Sequence, residues 1–497
     1  MICNGTVMPA RVGTLLSDIL GMEKPCGGHG RCGKCKVVAR GQLSAITQAE
    51  RRLLSPDELA QHVRLACMTY VLGDCDISVR ACGEAQILTQ GALPPLALQP
   101  EFSQYGVAID LGTTTLVARL YDSAGALLSE AALPNPQKTH GADVVSRIEA
   151  ALGGNARALS AAVKRALNEI IKELAERAGV ETKEIDGAVI TGNTVMLSLL
   201  AEESVEPFSH APFAVKRLFG ERQTAGHLGL SSLQQDTPVY LPPCISAFVG
   251  ADTVCAILSS ALCEGDSAML ADIGTNGEMA LWHGGRLTVC STAAGPAFEG
   301  AGISMGMQGV GGAIDRVCLA EGRLYAHVIG EGAPKGICGS GLVDAVACML
   351  DLEELDASGH LEGGAFVIEP PVVLTQQDIR MLQLAKSAVC AGLLVLLRQE
   401  GITSSAISSF YVAGGFGNYL NTKSAARIGL LPKALAEKAR AVGNAALAGA
   451  SMLLLNTGLR QKAEAHARTA RVAELSSDPA FSELFMSGMA LDFSLEI

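Results

Sequence analysis

What this chain of 497 residues lacks narrows its function before any motif does. It has no basic excess: 38 Lys and Arg stand against 50 Asp and Glu, a formal net charge of −12, so no broad surface for nucleic-acid phosphates is expected. It has no G-x4-G-K-[ST] pattern, which removes a P-loop nucleotide site. Residues 1–11 lack the basic start and apolar stretch of a secretory signal. The fifteen cysteines are therefore read against a reducing cytoplasm rather than as a disulfide framework, and an odd number in so long a chain agrees. No membrane span is expected. Residues 441–459 carry no charge but are interrupted by Asn444, Ser451 and Asn456, and residues 239–263 hold Pro242, Pro243 and Asp252. Both read as segments buried in a large Ala/Gly-rich core.

With 49% apolar and 18% charged residues, the chain can build two or three domains that each bury a core. Residues 1–82 are dense in cysteine and mix short β-type runs (35–39, 75–80) with a short helix near 56–62, a small α+β unit. Residues 83–104, with Pro94, Pro95 and Pro100 and no sustained periodicity, read as a semi-extended linker. From Tyr105 onward, apolar runs ending in Gly/Thr/Asn turns alternate with helical patterns such as 156–178 and 378–400, so the class is α/β. An internal echo stands out. Val107-Ala-Ile-Asp-Leu-Gly-Thr-Thr-Thr-Leu-Val-Ala recurs as Met269-Leu-Ala-Asp-Ile-Gly-Thr-Asn-Gly-Glu-Met-Ala, so a duplicated fold is expected, with a first lobe over 105–245 and a second over 246–497.

Cys26, Cys32 and Cys35 lie in Pro25-Cys-Gly-Gly-His-Gly-Arg-Cys-Gly-Lys-Cys, and Cys67 follows in Arg64-Leu-Ala-Cys-Met-Thr. Four thiolates must converge on two irons, and a loop that wraps them while aiming N–H groups at sulfur needs glycine. The C-x5-C-x2-C spacing with a remote fourth cysteine is one residue longer than the plant-type pattern. It resembles the vertebrate- and bacterial-type [2Fe-2S] ferredoxins. Structural zinc usually takes two short knuckles, and only one short pair is present here. Cys75 and Cys82 are the alternative fourth ligands. Cys3 and the eight cysteines from Cys244 to Cys390 have no ligand spacing and read as small buried apolar residues. His29 either tunes the cluster or faces solvent.

Asp110-Leu-Gly-Thr-Thr-Thr115 resembles the first phosphate loop of the actin, Hsp70 and sugar-kinase superfamily, in which a hairpin turn offers N–H groups and hydroxyls to phosphates. The resemblance makes Gly112, Thr113, Thr114 and Thr115 nucleotide ligands and sets Asp110 to hold Mg²⁺ through water. Asp272-Ile-Gly-Thr-Asn-Gly-Glu278 resembles the second loop, with Gly274, Thr275 and Asn276 on phosphate and Asp272 positioning the attacking water or the metal. In Tyr411-Val-Ala-Gly-Gly-Phe-Gly-Asn418, residues Gly414, Gly415, Phe416 and Gly417 would lie against adenosine. Gly339-Ser-Gly-Leu-Val-Asp344 and Thr191-Gly-Asn-Thr194 either touch nucleotide or simply turn the chain.

The order of these modules, with Asn135-Pro-Gln, Gly141-Ala-Asp-Val, Ala294-Gly-Pro-Ala-Phe-Glu-Gly300 and Ile337-Cys-Gly-Ser-Gly, resembles the reductive activators of corrinoid proteins over essentially the whole chain. That resemblance implies an ATP-hydrolysing iron–sulfur reductase. It would draw an electron from an upstream low-potential donor and return inactive Co(II) corrinoid to Co(I) on a methyltransferase component or a corrinoid iron–sulfur protein. Against a plant-type cluster near roughly −400 mV, an acceptor about 100–200 mV lower costs roughly 2–5 kcal/mol per electron, within reach of an ATP-driven two-state switch. Two other readings stay open: an electron donor to a dehydratase or aryl-CoA reductase, and a non-catalytic redox-sensing nucleotide-binding protein. Oligomeric state also stays open, a homodimer included. One departure is noted: members often carry a further small domain after the linker, whereas Tyr105 here opens the first ATPase strand directly.

Overall fold

The computed structural model describes residues 1–3, 6–22, 28, 30, 33, 35–54, 56–78, 93–94, 96–330 and 332–492. Cys26, Cys32, Cys82 and His29 lie outside them.

The N-terminal unit is a five-stranded sheet of β1 (Ile2–Cys3), β2 (Thr6–Val7), β3 (Lys36–Leu43), β4 (Val63–Leu65) and β5 (Val71–Ser78), in the order β2-β1-β5-β3-β4. Alternation along β3 turns Val37 and Ala39 inward onto Leu16, Leu65 and Ile77, the period-2 pattern of a half-buried strand. Besides the expected helix, found at Pro56–Ala60, there is a second at Gln48–Leu53, started by a Thr47/Glu50 capping box.

The chain after residue 104 begins with a six-stranded sheet built from β6 (Tyr105–Leu111), β7 (Thr115–Asp122), β8 (Leu127–Pro134), β9 (Ile185–Gly192), β10 (Glu221–Thr224) and β11 (Pro238–Leu241), ordered β10-β11-β9-β6-β7-β8. A second sheet starts with β12 (Ser267–Ile273), β13 (Gly277–His283) and β14 (Arg286–Thr292). The chain then leaves it for β15 (Ala313–Ala320), β16 (Arg323–Val328), β17 (Gly336–Ile337), β18 (Ala365–Glu369) and β19 (Val372–Thr375), which form separate small sheets. It returns with β20 (Ser409–Ala413), β21 (Ala439–Gly443) and β22 (Arg471–Val472), giving the order β21-β20-β12-β13-β14-β22. The expected helices appear at Ala156–Ala178 and Gln376–Glu400.

The two apolar runs resolve into strand plus helix: β11 followed by Ala251–Ser259, and β21 followed by Ala445–Leu455. These two helices fill the core between the sheets with Ala108, Val117 and Val189 from one side and Leu270, Ala280 and Val289 from the other. They touch backbone to backbone, since a Cβ on Gly449 would stand 2.1 Å from the Cys255 carbonyl oxygen. Among the described residues one helix, Gln376–Glu400, is long and apolar enough to cross a membrane, and most of it is buried in the second lobe's core.

The end of the expected linker is docked on the two-lobed unit that follows it. Gln99 exchanges backbone bonds with Leu455 (2.8 Å) and Thr457 (3.1 Å), and Asn456 Nδ2 donates to Ala97 O (2.8 Å). Glu101 pairs with Arg222 of β10 and with Arg460. Phe102 is buried where Gly106 and Gly187 leave room for its ring. The prolines do not prevent this, because the backbone bonds are made by Ala97, Gln99, Ser103 and Gln104 rather than by a proline.

Candidate functional site

The hairpin turn between β6 and β7 and the turn between β12 and β13 face one cleft of about 380 Å³. Asp110, Gly112, Thr113, Thr114 and Thr115 line it from the first lobe, and Asp272, Gly274, Thr275 and Asn276 from the second. Gly414, Gly415 and Phe416 close one side. Gly417 lies behind that wall, where a Cβ would stand 2.6 Å from Val412 Cγ1, so its missing side chain serves packing. Gly414 has φ +87°, and a Cβ there would approach Asp272 Oδ1 to 2.6 Å; the glycine leaves room for that carboxylate.

The first turn is braced from behind. Asn135 Nδ2 donates to Gly112 O (2.8 Å), and Asn135 N donates to Thr114 O (2.8 Å). Arg147, fully buried, donates to Thr113 O (2.6 Å), Gly141 O (3.0 Å) and Gln137 Oε1 (3.1 Å). Burial pulls its guanidinium down to about 10, and it stays charged. Asn135-Pro-Gln and Gly141-Ala-Asp-Val are thus the support of the first turn, since a loop that offers its N–H groups to a ligand needs its carbonyls tied elsewhere. Asn193 caps the helix Thr194–Leu200 and donates from Nδ2 to Thr113 Oγ1 (3.0 Å), which places it on the cleft.

Four carboxylates gather at the cleft floor: Asp110, Asp252, Asp272 and Glu278. Burial pushes Asp110 and Asp272 up to about 7, with Asp252 adding repulsion at both. Burial likewise raises Asp252 to about 6 and holds Glu278 well above the usual carboxylate range. Asn444, the cap of the helix Ala445–Leu455, donates to Asp110 Oδ2 (2.9 Å) and partly offsets that cost. Among the described residues no three His, Cys, Asp or Glu side chains converge closely enough to hold a metal ion alone. Cys338, Gly339 and Ser340, at the start of the helix Gly339–Asp351, also line the cleft.

Of the expected cluster ligands, Cys35 and Cys67 are described. Both are buried, with sulfurs 3.2 Å apart, and the hydrogen bond between them is the main reason the Cys35 thiol is brought down to about 7. Beneath them Glu50 accepts from Arg64 Nε (2.8 Å), Leu65 N (3.1 Å) and Thr69 Oγ1 (3.2 Å), fixing the segment that carries Cys67. Cys75 is buried on β5, and burial pushes its thiol up. No disulfide joins the described cysteines, and of the eight from Cys244 to Cys390, Cys318 is exposed and Cys263 half-buried rather than buried.

Residues 266–494 match the C-terminal domain of RACo, the ASKHA domain; residues 105–264 match the RACo middle region, and residues 6–72 match the 2Fe-2S iron-sulfur cluster binding domain. The corrinoid activation enzyme RamQ of Eubacterium limosum is 36% identical over 77% of this chain and 69% of its own length. A [Co(II) methylated amine-specific corrinoid protein] reductase of Methanosarcina barkeri is 25% identical over 71% of this chain and 70% of its own. A solved reductive activator for corrinoid, iron-sulfur protein superposes with a TM-score of 0.72 at 28% identity, covering 97% of this chain and 94% of that one. With the cleft between duplicated lobes and a [2Fe-2S] domain ahead of it, this chain belongs to the family of reductive activators of corrinoid proteins.

Proposed function

We propose that this chain reduces the inactive Co(II) form of a corrinoid protein to Co(I), with an electron from its [2Fe-2S] cluster and ATP hydrolysis in the inter-lobe cleft as the drive. The observation that carries the reading is the meeting of both Asp-x-Gly-Thr turns, 162 residues apart by Asp110 and Asp272, at one cleft. Gly112 to Thr115 and Gly274 to Asn276 hold the phosphates, and Gly414, Gly415 and Phe416 bear on the nucleoside. We take the domain limits as 1–82, 83–104, 105–245 and 246–497.

The donor chemistry fits both absent groups. Buried, paired thiols suit iron, and Cys26, Cys32, Cys35 and Cys67 are the ligands, supplying one low-potential electron when loaded. Buried carboxylates, with Asp252 adding repulsion at Asp110 and Asp272, suit a divalent cation, and the ion that keeps its water and neutralises phosphate charge is Mg²⁺. Asp110 and Asp272 are its protein partners. The chain's own part is to close the lobes around nucleotide and, through that closure, to favour one state of the docked corrinoid protein. Cysteines without a disulfide framework suit a reducing cytoplasm, and a low-potential reductant upstream reloads the cluster. The test is ATP hydrolysis with and without added corrinoid protein under anaerobic conditions. Stimulation by the Co(II) form is expected; equal rates with and without it contradict the proposal.

A further inference from the structure

We propose that Glu299 is the catalytic carboxylate that orients the water attacking the γ-phosphate and takes its proton; this rests on the ATPase reading of the cleft. Glu299 ends the short turn Pro296–Glu299 between β14 and β15 and is only partly exposed. Its Oε2 accepts from Thr114 Oγ1 (3.2 Å) and its Oε1 from Thr275 Oγ1 (2.8 Å). One threonine belongs to each phosphate turn, so this carboxylate stands between the two lobes at the place where both turns converge.

Its backbone is held on three sides. Gly295 N donates to Thr275 O (2.9 Å). Gly300, at φ +76°, abuts Met307, where a Cβ would stand 2.5 Å from the carbonyl oxygen. Phe298 stacks on Phe416 with ring centroids 4.5 Å apart. The carboxylate therefore cannot be placed there by a flexible loop alone.

A carboxylate among phosphate-binding hydroxyls has no proton to offer and repels the phosphate oxygens, so it engages the terminal phosphate through something that donates to both. Water fits that description. The floor carboxylates Asp110, Asp252, Asp272 and Glu278 crowd together and suit a cation; Glu299 bonds to none of them and takes the side of the cleft that both threonines share. In the step, the water oxygen bonds to the γ-phosphorus while the bond from that phosphorus to the β,γ-bridging oxygen breaks. ADP leaves with the electron pair, and the water's proton passes to Glu299 and then to solvent.

The alternative is a clasp that merely ties the turns together, and glutamine would serve a clasp nearly as well. The experiment compares the full-length, cluster-loaded wild type with Glu299→Gln and Glu299→Asp, following basal ATP hydrolysis across pH, ATP and ADP affinity, thermal midpoint and the visible cluster spectrum. The expected result for Glu299→Gln is a fall in kcat of about 10²- to 10⁴-fold, with nucleotide affinity within about threefold of wild type and an unchanged spectrum. Glu299→Asp, which retains the carboxylate one methylene further back, should hydrolyse ATP more slowly than wild type but faster than Glu299→Gln. Hydrolysis by Glu299→Gln within about threefold of wild type overturns the proposal. So does a fall in rate matched by losses of nucleotide affinity and thermal midpoint, the signature of a clasp. Absence of hydrolysis in the wild type would instead remove the ATPase reading beneath it.

Discussion

In the first lobe β11, β9 and β6 run parallel and β6, β7 and β8 antiparallel; in the second, β21, β20 and β12 run parallel and β12, β13 and β14 antiparallel. The same hairpin therefore meets the cleft twice, with an aspartate at the end of each first strand. The side chains differ. The first turn presents three consecutive threonines and is tied from behind by Asn135 and Arg147. The second presents Thr275 and Asn276 and is accompanied by Glu278 and Glu299. A duplicated scaffold thus carries three threonines and one acid, Asp110, on one side and fewer hydroxyls with more acids on the other, so the lobes must come together before a phosphate meets both sets. That is how closure can be coupled to chemistry.

The comparison breaks most severely at the acids. Asp272→Ala is expected to lower ATP hydrolysis by at least about 10³-fold while leaving the cluster spectrum intact, because the two modules share no ligand among the described residues. A spectrum lost together with hydrolysis would show that the modules are not separable. Bracing of the donor lobe comes next. Arg147→Met leaves the carbonyls of Thr113 and Gly141 without their donor and should cost about 1–3 kcal/mol of stability and raise KM for ATP. An unchanged KM would mean that the first turn holds its shape without that guanidinium.

A smaller effect, of opposite sign, belongs to the acid floor. Asp272 rises from an ordinary carboxylate value to about 7 on folding, so the folded state binds the proton more tightly. Stability from this group is full below about pH 4 and is lost as pH climbs towards and through 7. Asp272→Asn should therefore raise the thermal midpoint of the nucleotide-free protein at pH 8 by about 2–5 °C, with little change at pH 4.5. A lowered midpoint at pH 8 would show that the aspartate is stabilising in its ionised form and that burial in the cleft floor does not favour its protonated form.

Local chemistry was legible in the chain. An Asp-x-Gly-Thr turn carries its donors within a few residues, and at Gly112 a Cβ would stand 2.6 Å from the Thr115 carbonyl, so the glycine is part of the motif. The helices at Ala156–Ala178 and Gln376–Glu400 showed in their periodic patterns. Long-range partners were not legible. Asn444 reaches Asp110 across 334 positions, and Glu299 reaches Thr114 across 185, separations no spacing rule detects. A signal existed nonetheless: Asp252 and Asn444 are among the polar residues that interrupt the two charge-poor runs, and both line the cleft. Docking of the linker's end escaped notice for the same reason, since Asn456 and Arg460, which hold Ala97 and Glu101, come more than 350 residues later. That helix joins the two ends of the story, with Asn444 on Asp110 at its start and Asn456 on the linker at its finish.

The account stands on both modules acting in one event, and anaerobic spectrophotometry of a Co(II) corrinoid protein tests it most directly. With ATP, the wild type should convert Co(II) to Co(I); Cys67→Ser, lacking the cluster, and Asp110→Ala, lacking hydrolysis, should each leave Co(II) unchanged. Full Co(I) formation by Asp110→Ala without nucleotide, using a donor no stronger than the cluster itself, would contradict it.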